Sequence, residues 1–104
     1  MIGCGIETPP VSLQARRELG RLIRRVQHGA FVEYPASSPM PDIGSHCHEF
    51  RVGEANGTWR AIYRIDDDAV VIVEVFFKTT RKTPQWAIDN SKRRLKWYDA
   101  NKRI

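Results

Sequence analysis

This 104-residue chain has little cysteine, little histidine and no long apolar run. Two cysteines, Cys4 and Cys47, cannot build the framework of bridges that holds a small secreted domain together, so both read as free thiols. No apolar run approaches the ~20 residues needed to cross a bilayer. Met1 to Glu7 carries no positive charge ahead of a greasy stretch, so no secretory leader is read there. The expectation is a cytoplasmic protein that engages no membrane. A Gly-rich nucleotide loop, a G-x-S-x-G elbow and an H-E-x-x-H helix are also missing, which removes several common routes to catalysis. There is no internal repeat and no low-complexity tract.

The composition that is present, 41% hydrophobic and 28% charged, is that of a folded chain. Residues 1–104 are expected to form one domain, burying about two-thirds of the surface exposed by the unfolded chain. The net charge is +5 and unevenly spread. Residues 1–41 hold five Arg and three Glu; residues 42–77 hold three Arg and seven acids. Residues 78–104 hold nine Lys or Arg against two Asp, so a polyanion would find its natural partner in the C-terminal quarter. A solvated basic helix accounts for the same charge equally well.

The periodicities predict an α+β chain: helix, loop, three strands, helix, with a short extra strand at Ile2–Ile6. Ser12 can cap a helix running to about His28, with Leu13, Leu19, Leu22, Ile23 and Val26 on one side and Arg17, Arg21 and Arg24 on another. Gly29 is a stop signal. Pro35, Pro39 and Pro41 then forbid a helix or a central strand, which reads as a surface loop. His46–Val52 alternates, Glu54-Ala55-Asn56-Gly57 turns, and Trp59–Ile65 alternates again with Arg60, Ile62 and Arg64 sharing a face. After Asp66-Asp67-Asp68, Ala69–Lys78 is apolar on both faces except for Glu74, as in a central or best-covered strand. Two short turns make this an antiparallel meander. Thr83-Pro84 reads as a cap and first turn of a helix to about Asn101. Its seam is Ala87, Ile88, Ser91, Leu95 and Tyr98. A second stripe of Trp86, Asn90, Arg93 and Trp97 is either core or a docking surface.

His46-Cys47-His48 has the composition of a metal site but not the geometry. On a strand the histidines share a face and Cys47 opposes them, so no metal is expected. Cys47 also lacks a third group to orient a Cys–His pair. A cationic constellation is the better candidate. Arg60 and Arg64 share a face, Lys78 ends a strand, Arg81 and Lys82 follow it, and Arg51 ends the first strand of the meander. Cations at the ends of a small sheet form a bowl for a phosphodiester, and guanidinium groups bind its oxygens bidentately. They would also stabilise the extra charge of a pentacoordinate transition state. Ordinary ion pairing of Arg60 and Arg64 with Glu49, Glu74 and the Asp66–Asp68 turn is the alternative.

Four segments, in order, carry a family resemblance. They are Pro39-Met40-Pro41-Asp42-Ile43-Gly44, Cys47-His48-Glu49-Phe50-Arg51-Val52, Thr58-Trp59-Arg60-Ala61-Ile62-Tyr63 and Val73 through Pro84. The last three resemble the "ELR" strand, the "WRxxY" strand and the "VFxKKTxKTP" segment of RelE/HigB-like toxins, in particular their phage-derived branch. The resemblance spans about residues 8 to 99. It implies a RelE/ParE-like α+β fold with a small twisted antiparallel sheet, and the toxin of a type II toxin–antitoxin pair. Such toxins cut mRNA on the translating ribosome, without a cofactor, and are neutralised by a small antitoxin, often a helix-turn-helix DNA-binding protein.

Carried over residue by residue, Arg60 matches the arginine of the R-x-x-Y motif and is the first choice for transition-state stabilisation. Lys78, Arg81 and Lys82 would hold the RNA backbone, with Arg51 in support; Arg64 joins the expected RNA-binding set through the face it shares with Arg60, not through the motif. Members of the superfamily often carry a tyrosine or histidine near the end of the last strand; here Thr79, Thr80, Lys82, Pro84 and Gln85 occupy that region. The base for the 2′-hydroxyl proton is therefore open among Glu49, His48 and Glu74. Glu49 is favoured by its place in the motif and His48 by its chemistry. Two other readings stay open: a non-catalytic toxin directed at DNA gyrase, and a nucleic-acid-binding module working through its basic C-terminal helix.

Overall fold

The computed structural model describes residues 2–3 and 11–102 of the chain. Seven elements follow one another. They are β1 (Ile2–Gly3), α1 (Leu13–Gln27), β2 (Ser37–Pro39), β3 (Cys47–Glu54), β4 (Gly57–Ile65), β5 (Val70–Lys78) and α2 (Gln85–Asn101). The strands form one sheet in the order β1-β5-β4-β3-β2, antiparallel except for the parallel pairing of β1 with β5. This is the α+β arrangement that the periodicities predict.

Helix α1 starts and stops on local chemistry. The Ser12 hydroxyl accepts from the Ala15 amide at 3.1 Å, satisfying a donor that the first turn cannot. At the other end Gly29 takes φ +89°, the left-handed conformation that suits glycine. Its amide donates to Val26 O and that of Ala30 to Arg25 O, closing a Schellman motif. The buried side is Ala15, Leu19, Leu22 and Val26. Leu13 departs from the expected seam and is 60% exposed, because it sits in the first turn where Val11 and Ala15 already fill the contact.

The hairpin of β3 and β4 closes on the pair Glu54 and Gly57, with Ala55-Asn56 as its two-residue loop. Gly57 is required by space. A Cβ there would stand 2.6 Å from Lys78 O and 2.8 Å from the Phe77 ring on neighbouring β5. His46, expected at the head of β3, lies outside it with φ 62°, so the strand begins at Cys47.

Two further expectations need correction. The Pro-rich segment is not merely a loop: Ser37–Pro39 pairs antiparallel with Phe50–His48 as an edge strand. Pro39 is tolerated as its last residue, because an edge strand need not donate on its outer side. The middle of the sheet is β4, so β5 is not its central strand; β5 is the well-covered one, with Val70–Glu74 buried throughout and only the two-residue β1 beyond it. The short N-terminal strand appears at Ile2–Gly3, and the rest of the expected Ile2–Ile6 segment lies outside the described residues.

Alternation gives the sheet two apolar faces. Phe50, Val52, Trp59, Ala61, Tyr63, Val70 and Ile72 pack with α1. Cys47, Ile62, Val71, Val73 and Phe76 pack with Ala87, Ile88, Leu95 and Tyr98 of α2. The register of β4 and β5 slips between Ile62 and Tyr63, opposite Glu74 and Ile72, leaving Val73 as the extra residue. Such a bulge lets two consecutive residues share a face. Val73 joins the α2-side core while Glu74 meets Arg94 of α2. Helix α2 buries the five residues of the expected seam, whereas Trp86 and Trp97 are 50% and 57% exposed, so that stripe is not core.

Candidate functional site

On the α2 face, β3 presents Cys47, Glu49 and Arg51, and β4 presents Arg60, Ile62 and Arg64. Register sets Arg51 directly across from Arg60 and Glu49 across from Ile62. Two arginines opposite one another repel. Glu49, one step along the same face, relieves this: Arg51 Nε donates to its Oε1 at 3.2 Å, and Arg60 Nη1 lies 3.6 Å from the same oxygen. The second carboxylate oxygen accepts from Thr83 Oγ1 at 2.9 Å. Glu49 is completely buried, so all of its charge is spent on its neighbours.

Arg60 is 3% exposed. Its Nη2 donates to Thr80 O at 2.6 Å, but Nε and Nη1 have no hydrogen-bond partner among the described residues. Burial pushes the guanidinium below its ordinary value, Glu49 opposes that shift, and Arg51 adds to it. Arginine starts so high that it stays charged. A buried cation with one donor unpartnered and another held only by a long ion pair is costly unless an acceptor arrives.

Arg60 and Arg51 face an open hollow of about 550 Å³, lined also by Tyr34, Pro35, Ala36, Gly53, Thr58 and Arg81. Among the described residues, the lining holds three arginines and no acid. Glu49 lies underneath and neutralises one charge, so the hollow keeps a positive excess at the hairpin end of the sheet.

The structure gathers some of the expected residues and separates others. Arg60, Arg51 and Arg81 line the hollow, with Glu49 below them. Lys78 is half-buried at the end of β5 and Lys82 is exposed in the loop before α2; neither lines it. His48 is on the opposite, α1-side face, stacked on Tyr63 at 5.4 Å, with Nδ1 3.2 Å from His46 O. Glu74 is tied to Arg94 on α2, and burial raises its carboxyl above the ordinary value although Arg94 pulls it down. Arg64 sits at the far end of β4, where its guanidinium contacts both oxygens of Asp66 at 2.7 and 3.0 Å and both of Asp99 at 2.6 and 3.0 Å. Those contacts raise its pKa further above an already high value. Cys47 points into the α2-side core, where burial pushes its thiol up and away from a reactive thiolate.

Residues that the sequence reading passed over also matter. Thr83 is not a helix cap: the N-cap position falls on Pro84 with no side-chain bond, and the Thr83 hydroxyl goes to Glu49 instead. Thr80 supplies the carbonyl that holds Arg60. Tyr34 reaches the hollow because β2 ties the Pro-rich segment beside Arg51, a long-range pairing with no local signal.

Fold and hollow together define a small basic α+β protein that carries an arginine cluster on an open part of its sheet. The chain belongs to the family described as phage derived protein Gp49-like (DUF891), whose model matches residues 10–96. That membership is consistent with a toxin of a toxin–antitoxin system. A comparison with curated proteins finds no match. Among the described residues, no helix is long and apolar enough to cross a membrane.

Proposed function

We propose that this protein is a RelE/HigB-like toxin of a type II toxin–antitoxin pair, an endoribonuclease that cuts mRNA on the translating ribosome. One observation carries the reading: Arg60, buried, with Nε lacking a hydrogen-bond partner and Nη1 held only by a 3.6 Å ion pair to Glu49, lines a hollow together with two further arginines. Such an arrangement favours an anion whose charge grows during reaction.

In this reading a phosphodiester lies in the hollow. Its adjacent 2′-oxygen attacks phosphorus and the 5′-oxygen leaves, giving a cyclic 2′,3′-phosphate and a free 5′-hydroxyl. Arg60 meets the non-bridging oxygens as they gain charge, while Arg51 and Arg81 hold the backbone. Glu49, with both oxygens engaged, positions Arg51 and Arg60 and does not reach substrate. Among the described residues, the lining contains no histidine and no carboxylate. In this reading the 2′-hydroxyl proton passes to water or to a group of the ribosome, and the arginines contribute charge and positioning.

The partner in this reading is a helix-turn-helix antitoxin. The exposed Trp86 and Trp97, flanked by the cations Lys92, Arg93 and Lys96, suit an acidic segment carrying apolar anchors.

The test is inducible expression of wild type and Arg60→Ala in a bacterial host, with transcript ends mapped by primer extension. Growth arrest with new 5′ ends inside coding regions, lost in a mutant that still folds, is the expected result. Arrest with intact transcripts would replace this reading by a non-catalytic toxin acting on gyrase or another protein. Among the described residues the hollow holds no histidine or carboxylate, Tyr34 being its one acid–base side chain, and that is the observation that favours that second reading.

A further inference from the structure

We propose that Tyr34 is a nucleobase-stacking subsite, a positioning residue that seats one base of single-stranded RNA beside the arginines holding its phosphate. The inference rests on the ribonuclease reading and deepens it by naming how the substrate is gripped.

Tyr34 is 75% exposed. A single exposed aromatic is ordinary on a protein surface and means little alone. This one lines the same hollow as Arg51, Arg60 and Arg81. The Arg51 guanidinium carbon lies 5.8 Å from its ring centroid, while Arg51 Nε donates to buried Glu49. Ring, guanidinium, carboxylate and Arg60 thus form a chain from the rim of the hollow to its floor. The step from the ring to the first cation is on the scale of one nucleotide, from base to phosphate. Proteins that grip single strands combine these two elements, a positive groove for the backbone and an aromatic face for a base.

The turn that carries the ring is also held in place before any ligand arrives. The Ser37 amide donates to Glu33 O at 3.2 Å, and the Arg51 amide donates to Ala36 O at 2.8 Å. Ser37, 1% exposed, pairs its hydroxyl with that of Tyr63 at 2.7 Å. The turn bearing Tyr34 is thereby pinned to β3 and β4, so stacking a base would order little additional chain. Because Tyr34 contributes almost nothing to either core, its removal should leave the fold intact.

The experiment is a double-mutant cycle on the full chain. Binding of a fluorescein-labelled 2′-O-methyl pentaribonucleotide, which cannot be cut, is read by anisotropy for wild type, Tyr34→Phe and Tyr34→Ala. The measurement is repeated with an abasic residue at each position in turn. Tyr34→Ala is expected to weaken binding about 5- to 100-fold, the range for loss of one stacked base, with Tyr34→Phe close to wild type. One abasic position should weaken the wild type to a similar degree and leave Tyr34→Ala unaffected. The slope of affinity against salt should not change in Tyr34→Ala, since no phosphate contact is lost. Equal affinity of Tyr34→Ala and wild type, or losses that multiply at every abasic position, overturns the subsite. If Tyr34→Ala still cleaves transcripts at unchanged ends, the subsite falls and the ribonuclease reading stands. Failure of the wild type both to bind and to cleave removes both.

Discussion

Arg60 and Arg64 lie four residues apart on one strand and one face, yet their surroundings are opposite. Arg64 has two carboxylates, Asp66 and Asp99, each bound through both oxygens, and is fully compensated. Arg60 shares a single carboxylate with Arg51, its Nη1 reaching Glu49 only at 3.6 Å, gives one hydrogen bond to Thr80 O, and leaves Nε without a partner. The same side chain is therefore a structural clamp at one end of β4 and an unfinished binding group at the other. The comparison shows how to sort a basic surface: total charge is less informative than which cations lack an internal acceptor.

The sharpest way to break this contrast is to remove each arginine in turn. Arg60→Ala should lower transcript cleavage by about 10²- to 10³-fold, the usual loss when one preorganised donor to a transition state is deleted. Arg64→Ala should keep cleavage within a few-fold. Equal losses in the two variants, measured by primer extension on folded protein, would end the distinction.

Glu49→Gln tests the carboxylate shared by Arg51 and Arg60. Removing its charge leaves two buried or half-buried cations facing each other, so stability should fall by about 3 kcal/mol in urea unfolding. RNA affinity should not fall with it, because the hollow becomes more positive and the amide oxygen can still accept from Arg51; a parallel collapse of binding would show that the arginines need the full charge of Glu49 to be positioned.

At the other end of the strand, Arg64→Met should cost about 1–2 kcal/mol of stability through its lost charge-assisted bonds, with cleavage retained. The smallest effect is expected of Asp99→Asn. Asp99 is half-exposed, and the hydrogen bond from Arg64 holds its carboxyl below the ordinary value. A carboxyl lowered in the fold stabilises above its unfolded pKa and loses that contribution as pH falls through the folded one. The variant should therefore be less stable than wild type by under about 1 kcal/mol at neutral pH. The difference should shrink to nothing in acid. A difference that grows on acidification would contradict the ion pair.

Much of the fold was legible in the residues alone. The seam of α2, the cap and stop of α1, the hairpin of β3 and β4 and the division of β4 into an arginine face and an apolar face all follow from local periodicity and turn chemistry. Those signals are carried by residues within one or two turns of each other, which is why a single sequence reveals them. The cationic character of the region was legible in the same way, as charge at the ends of strands.

What tertiary structure alone decided is which of those charges are free. Arg64 is neutralised by Asp99, 35 residues away on α2. Glu49 takes its second bond from Thr83, 34 residues on, where a helix cap was expected. His48, one residue from Glu49, falls on the other face because strand side chains alternate. The Pro-rich segment becomes β2 and brings Tyr34 to the hollow only once β3 offers it an edge. Residue identity and spacing determined the elements and their faces. Partner choice among distant side chains depended on how two helices and five strands pack, because a charge is compensated by whatever lies within a few ångströms in space.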